Sequence, residues 1–316
     1  MKTAAWLSFW TLGLIWGSSF LLIRIGVEDI PATQLVLIRT ATAAVFLNLV
    51  LLLKGKRPPG DWSTLRALLI IGVGNAAIPY TLISLGEQNI SSGMAAVLQA
   101  TASLFTLVIA HFAFVDERVT RKKIIGLIVG FGGVFVLSSG SFQNGSIDLP
   151  MFLGQMAIVG ASMFYAVFIV YSRKVINRDV EPLVVSATTF VSATACAAVF
   201  VVLEPLLGGR AYIPLNDLPD RAILVAFGLG FVNTFIAYLF FYFIIQELGA
   251  FRASMVTYIV PVVGLALGWL VLDEVVAPYM ILGAMMIFAG IGIINLRLRR
   301  LFQLRNHRGL KVADTA

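Results

Sequence analysis

Gln99, Ser103 and Thr106 recur at i, i+4 and i+7, which puts three hydrogen-bonding side chains on one helix face. Thr234, Tyr238 and Tyr242 at i, i+4 and i+8 form a second polar stripe. Both stripes sit in runs that are otherwise apolar. Neutral donors, acceptors and phenol rings recognise and orient a small solute; they do not by themselves break bonds. Two prolines extend the set. Pro79 and Pro261 lack an N–H, so each deprives the carbonyl four residues earlier, at Asn75 and Thr257, of its helical partner. Asn233 falls close to the position equivalent to Asn75 in the second half of the chain. Trp16 and Tyr165 occupy near-matching positions of the first and sixth apolar runs, where they can flank a substrate. The substrate cavity predicted from these patterns comprises Trp16, Ser19, Asn75, Tyr80, Gln99, Ser103, Tyr165, Asn233, Tyr238, Tyr242, Thr257 and Tyr258. The same groups would equally serve as hydrogen bonds between helices, with the prolines aiding packing.

Charged candidates are few. Arg24 and Arg39 lie toward one end of the first two apolar runs. A guanidinium there either steers a carboxylate or phosphate, or pairs with Glu28, Asp29 or Glu87 or reaches to headgroups. Glu117 and Glu274 close Asp-Glu pairs at run ends and are candidate gates. His111 can relay protons or simply pack. No carboxylate lies deep in an apolar run, so no coupling ion is assigned. Two histidines without HExxH exclude a metal hydrolase of that type. The chain has no GxxxxGK[ST] loop for ATP. A serine nucleophile would lack a plausible base. No cofactor is expected, and an enzyme is the least favoured class. The single cysteine, Cys196, forbids an intramolecular disulfide.

The elements that must position these residues are membrane spans. Hydrophobic residues make up 59% of the chain and charged ones 12%, outside the range of soluble domains. About 20 apolar residues cross a bilayer as helix. Ten such segments are predicted: 6–26, 33–53, 65–86, 92–115, 124–140, 151–172, 183–203, 222–245, 252–272 and 278–296. Of 23 Lys and Arg residues, 18 fall in the termini and alternate loops, and only Arg210 and Arg221 in the others. That sorting predicts a multi-pass plasma (cell inner) membrane protein with both termini cytoplasmic. The net charge of +7 follows the loops rather than a patch, so nucleic acid is not an expected partner.

The chain is also duplicated. Residues 116–137 return as 273–294 at a shift of 157, aligning Asp116-Glu117 with Asp273-Glu274, Gly126 with Gly283 and Gly133 with Gly290. Five spans per half is an odd number, so the halves must be inverted. The predicted domains are 1–145, 146–300 and a basic cytoplasmic tail, 301–316. The glycines of spans 5 and 10 are expected to pack within each half, with a homodimer seam as the alternative.

Several motifs resemble the drug/metabolite transporter superfamily, in its EamA-type branch. They are Trp16-Gly17-Ser18-Ser19-Phe20 with Arg24, Pro31 with Leu37-Ile38-Arg39, both Asp-Glu pairs, the glycine-rich spans 5 and 10, and Ala161-Ser162-Met163-Phe164-Tyr165-Ala166. The resemblance covers essentially the whole chain. It departs at Ala102-Ser103-Leu104, where a proline is common, while span 9 keeps Pro261. It implies an all-α polytopic membrane protein of two inverted five-helix repeats, with spans 1–4 and 6–9 around a cavity and 5 and 10 peripheral. The implied function is a secondary transporter, often an exporter, of small metabolites such as amino acids, working by alternating access between inverted halves. A lipid flippase or scramblase and a passive facilitator are the alternatives on the same fold.

Overall fold

A backbone group inside lipid has no water to bond, so long apolar runs close their hydrogen bonds within the segment as helices. The computed structural model of the protein describes residues 2–115, 117–143, 146–176 and 180–295. Asp116, Arg178 and the predicted tail lie outside the described residues. Ten helices are long and apolar enough to span: α1 (Thr3–Asp29), α2 (Ala32–Leu53), α3 (Trp62–Gly86), α4 (Ser92–Ala113), α5 (Arg121–Ser141), α6 (Leu149–Val175), α7 (Pro182–Leu206), α8 (Asp220–Leu248), α9 (Arg252–Leu272) and α10 (Pro278–Asn295). Several outrun their predicted limits, α1 and α6 most clearly, because helical backbone continues past the apolar stretch. Polar caps start them. Asp61 accepts from the Thr64 N–H at 2.8 Å, Ser91 from Met94 at 3.2 Å and Asp148 from Met151 at 3.0 Å, each satisfying an orphan donor of a first turn. A two-residue antiparallel ladder, Phe142–Gln143 with Ser146–Ile147, precedes α6.

The fold is an all-α polytopic membrane protein of two inverted five-helix repeats. Ten crossings return residue 295 to the face that carries residue 2, hereafter the terminal face. Repeat mates pack on one another: α2 lies along α7, and α5 along α10. The second contact corrects the glycine expectation. A Cβ on Gly133 would stand 2.6 Å from the Gly283 carbonyl oxygen, and one on Gly126 would stand 2.7 Å from that of Gly290. The glycine faces of α5 and α10 are therefore spent on each other, between the repeats of one chain. The physical reason is the inversion, which brings two equivalent small-residue faces together. Gly130 also meets Leu104 of α4, within its own half, and Gly292 meets nothing within 4 Å.

Four helices are broken, in mated pairs. In α3, residues Val73–Ala77 form a π-turn, and in α8 Phe231–Ile236 do so. These match at the shift of 158 that relates Asn75 to Asn233. Pro79 follows the first π-turn, whereas no proline accompanies the second. Helix α4 breaks after Ser92–Gln99 and resumes as Ala102–Ala113. Its mate α9 passes through a 3-10 turn, Met255–Tyr258, before Val260–Leu272. These match at the shift of 157. The break corrects the stripe reading: Gln99 does not share one continuous helix face with Ser103 and Thr106.

Candidate functional site

The π-turns of α3 and α8 sit near the middle of their spans and border one polar cluster. Arg39 lies on α2, about a third of the way in from the face opposite the termini, and is 6% exposed. Its Nε donates to Thr234 Oγ1 at 3.0 Å, in the π-turn of α8. Its guanidinium carbon sits 4.0 Å from the Tyr80 ring centroid. Tyr165 and Tyr238 are within electrostatic reach of Arg39 and Tyr80. Tyr238 then meets Trp16 at 6.4 Å, Phe190 at 5.4 Å and Tyr242 at 5.9 Å between ring centroids. Tyr165, Tyr238 and Tyr242 are half-buried.

The Arg39 environment corrects one expectation. It pairs with none of Glu28, Asp29 and Glu87 and does not reach for headgroups. Glu28 instead faces Arg221 at 3.6 Å. Arg24 donates to the main-chain carbonyls of Glu87 and Gln88, at 2.5 and 3.2 Å, rather than to a carboxylate. A side chain on a helix points back along its own axis and reaches whatever the tertiary packing puts there, and sequence spacing does not report that.

The two asparagines behave differently. Asn233 Nδ2 donates to the Ile15 carbonyl, to Ser18 Oγ at 3.0 Å and to Ser19 Oγ at 3.1 Å, tying α8 to α1. Asn75 Oδ1 is buried without a protein partner, and so is Gln99 Oε1. The break in α4 is held from α6, where Ser162 Oγ donates to the carbonyls of Leu98 and Gln99, both at 3.4 Å. Ser103 and Thr257 are exposed, with hydroxyls donating to the Ala100 and Ser254 carbonyls of their own helices. Tyr258 accepts from Asn295 Nδ2 at 3.0 Å, which ties it to α10. His111 Nδ1 accepts from the Val119 N–H at 3.2 Å, a local tether.

The two ends of the site differ. Away from the termini, Ser92–Gln99 of α4 packs on Val260–Leu272 of α9, with Gly93 against Leu265 and Gly264 against Ala96. Glu274 locks this contact. Its Oε1 accepts from the Ser92 N–H at 2.7 Å, and its Oε2 from Ser92 Oγ at 3.0 Å and the Gly93 N–H at 3.1 Å. Asp273 adopts the left-handed conformation, φ 51°, that turns Glu274 back onto this helix start. On the terminal face the helices diverge: Ala102–Ala113 lies on α6, and the first turns of α9 lie on α8 and α1. There Glu117, the inverted twin of Glu274, pairs with Arg173 at 2.8 Å. The described chain is thus sealed opposite the termini and parted beside them.

The burial of two acids escaped the sequence reading. Glu87, just past α3, is 0% exposed and neither carboxylate oxygen has a protein hydrogen bond. Glu204, near the end of α7, accepts from the Thr33 N–H at 3.1 Å and from its hydroxyl, capping α2. Both look like run-end residues in sequence; Glu87 is covered where Gly86 packs on α6 and Arg24 of α1 reaches its carbonyl, and Glu204 where Gly209 folds back on it. A cavity of about 410 Å³ lies near Glu87 rather than among the tyrosines, bordered by Arg24, Glu28, Gln88, Ser91, Glu274 and Tyr279.

Comparison with known proteins agrees with this architecture. The EamA-like transporter family matches residues 4–139 and 152–296. A relative in Escherichia coli (strain K12), named a probable amino-acid metabolite efflux pump, is 27% identical over 95% of this chain and 96% of its own. An uncharacterized transporter of Archaeoglobus fulgidus is 26% identical over 88% of this chain and 94% of its own. The uncharacterized inner membrane transporter YedA of Escherichia coli (strain K12) is 29% identical over 83% and 80%. A solved structure superposes with a TM-score of 0.63 at 18% identity, covering 95% of this chain and all of that one, which shows the fold. With two copies of the family's repeat spanning nearly all of it, this chain belongs to the EamA-like transporter family.

Proposed function

We propose that this transporter is a secondary exporter. It moves a small metabolite, an amino acid or similar compound, across the plasma membrane by alternating access, with both termini cytoplasmic. One observation carries the reading. Mated helices of the two inverted repeats break at equivalent positions, and the π-turns of α3 and α8 pack with Tyr80, Tyr165 and Tyr238, while Thr234 of the second holds Arg39. Interrupted helices near the midplane of inverted repeats are where transporters bind their cargo. The parted terminal face and the seal by Glu274 then correspond to an inward-facing state, and its inverted counterpart would seal beside Glu117. The name of the E. coli efflux relative supports export and the metabolite class. The charge asymmetry of the loops supports the orientation.

The test is thermal stabilisation of the purified protein across a metabolite panel, followed by counterflow in proteoliposomes with any compound that stabilises. Tyr238→Ala and Gln99→Ala should abolish the shift. A shift that survives both substitutions overturns the site. Lipid scrambling by the same vesicles without metabolite flux overturns the substrate class. A reporter fused after residue 272 should read as outside the cell; a cytoplasmic reading overturns the orientation.

A further inference from the structure

Among the described residues Arg39 has no ion-pair partner. Guanidinium has five N–H donors. Only Nε is used, on Thr234 Oγ1, and the ring face of Tyr80 covers one side. Glu87 influences Arg39 electrostatically but makes no contact with it. A buried cation within a span is expensive and persists where it serves a ligand or a relay.

The fold does not require it. Glycines at equivalent places press each repeat's α3 or α8 helix onto the other repeat's α2 or α7: Gly72 against the Thr189 carbonyl, and Gly230 against the Arg39 carbonyl, which a Cβ on Gly230 would approach to 2.7 Å. Thr189 on α7 therefore occupies the station that Arg39 occupies on α2, seven residues after Pro182 as Arg39 is after Ala32. The same packing is made with a threonine in one repeat and a guanidinium in the other. The charge is an addition to one half-site.

We infer that Arg39 is the anchor for a carboxylate of the transported metabolite, its two free Nη groups presenting a fork to the two carboxylate oxygens. The inference rests on the cavity proposed above. The fork suits the planar, two-oxygen geometry of a carboxylate. Thr234 fixes the guanidinium from behind and Tyr80 holds its plane. The rings of Tyr165, Tyr238 and Trp16 leave the rest of the ligand an apolar and aromatic surround. The ligand class is therefore a monocarboxylate with a compact apolar or aromatic body, not an amine or a neutral solute.

The test pairs each of the twenty amino acids with its carboxamide and its decarboxylated amine. Binding to the full-length protein is read by thermal stabilisation. The expected result is stabilisation by one or more free acids, with affinity about tenfold or more weaker for the matching amide. Arg39→Gln should remove that acid-over-amide preference. Because Arg39→Gln also removes the bond to Thr234, Arg39→Lys and Thr234→Val serve beside it: Lys should retain binding with weaker preference, and Val should weaken acid binding while leaving the amide unchanged. Equal affinity for acid and amide, stabilisation by amines alone, a panel in which no acid binds, or undiminished acid preference in folded Arg39→Gln would each overturn the assignment. Tyr238→Ala separates the two readings. If it abolishes all binding while Arg39 variants leave the acid preference intact, the cavity stands and the anchor falls. If Tyr238→Ala and Arg39→Gln both leave binding intact, the cavity itself is wrong.

Discussion

Glu274 closes on the helix that begins at Ser92, its carboxylate taking the Ser92 and Gly93 amides at 2.7 and 3.1 Å. The two residues come from opposite repeats, so this cap is also the fastening between them. A carboxylate on first-turn amides combines charge-assisted hydrogen bonds with the positive end of the helix dipole. Glu274→Ala should cost about 1–3 kcal/mol and lower the melting temperature of the purified protein. Its inverted twin gives the contrast. The Glu117–Arg173 pair is half-exposed and screened by water, so Glu117→Ala should cost no more than about 1 kcal/mol. Equal melting shifts for the two variants would remove the distinction between a sealed and a parted end.

Glu87 predicts a pH dependence. Burial pushes its carboxyl well above the ordinary value of 4.5, the neighbouring Glu274 carboxylate adds to this, and Arg24 and Arg39 pull it back. The folded state then holds a proton that the unfolded chain releases above about pH 4.5. Stability is greatest below that pH and falls as pH rises toward the raised folded value. Glu87→Gln keeps the neutral shape and should flatten this fall. Melting curves of both proteins between pH 5 and 8 check it, and parallel slopes would count against a protonated Glu87.

The two asparagines should separate stability from binding. Asn233→Ala removes the cross-helix donor to the Ser18 and Ser19 hydroxyls and to the Ile15 carbonyl, which keeps only the serine hydroxyls of its own helix, at a cost of about 1–3 kcal/mol. Asn75→Ala removes an oxygen that has no protein partner, so the melting temperature should change little while ligand-induced stabilisation shrinks. A large loss of stability in Asn75→Ala would mean the side chain is structural.

The α5–α10 seam predicts position-specific glycine effects. Gly133→Ala forces a Cβ to 2.6 Å from the Gly283 oxygen, and overpacking of this kind costs about 1–3 kcal/mol. Gly292 meets nothing within 4 Å, so Gly292→Ala should be neutral or stabilise by up to about 1 kcal/mol. Thermal unfolding of the two single variants checks the pair. Similar values would place the seam elsewhere.

By itself the sequence determined the spans, their number, the duplication and its inversion. Those follow from one-dimensional quantities: apolar run length, the 157-residue shift and an odd count of crossings per half. It also marked Asn75, Asn233 and Tyr238 as polar groups too costly to face lipid. Tertiary structure alone decided what each meets. Arg39 and Glu87 both read as residues near span ends. Packing left Arg39 without an acid and buried Glu87 without a donor, because side-chain environment depends on which helix crosses at that depth. The prolines Pro79 and Pro261 marked two of the four helix breaks, at Asn75 and Thr257, while the breaks in α8 and α4 carry no proline and were hidden. The Asp-Glu pairs read as punctuation. Only the fold shows Asp273 making the turn and Glu274 reaching across to Ser92, a contact between residues 182 apart that no local spacing encodes.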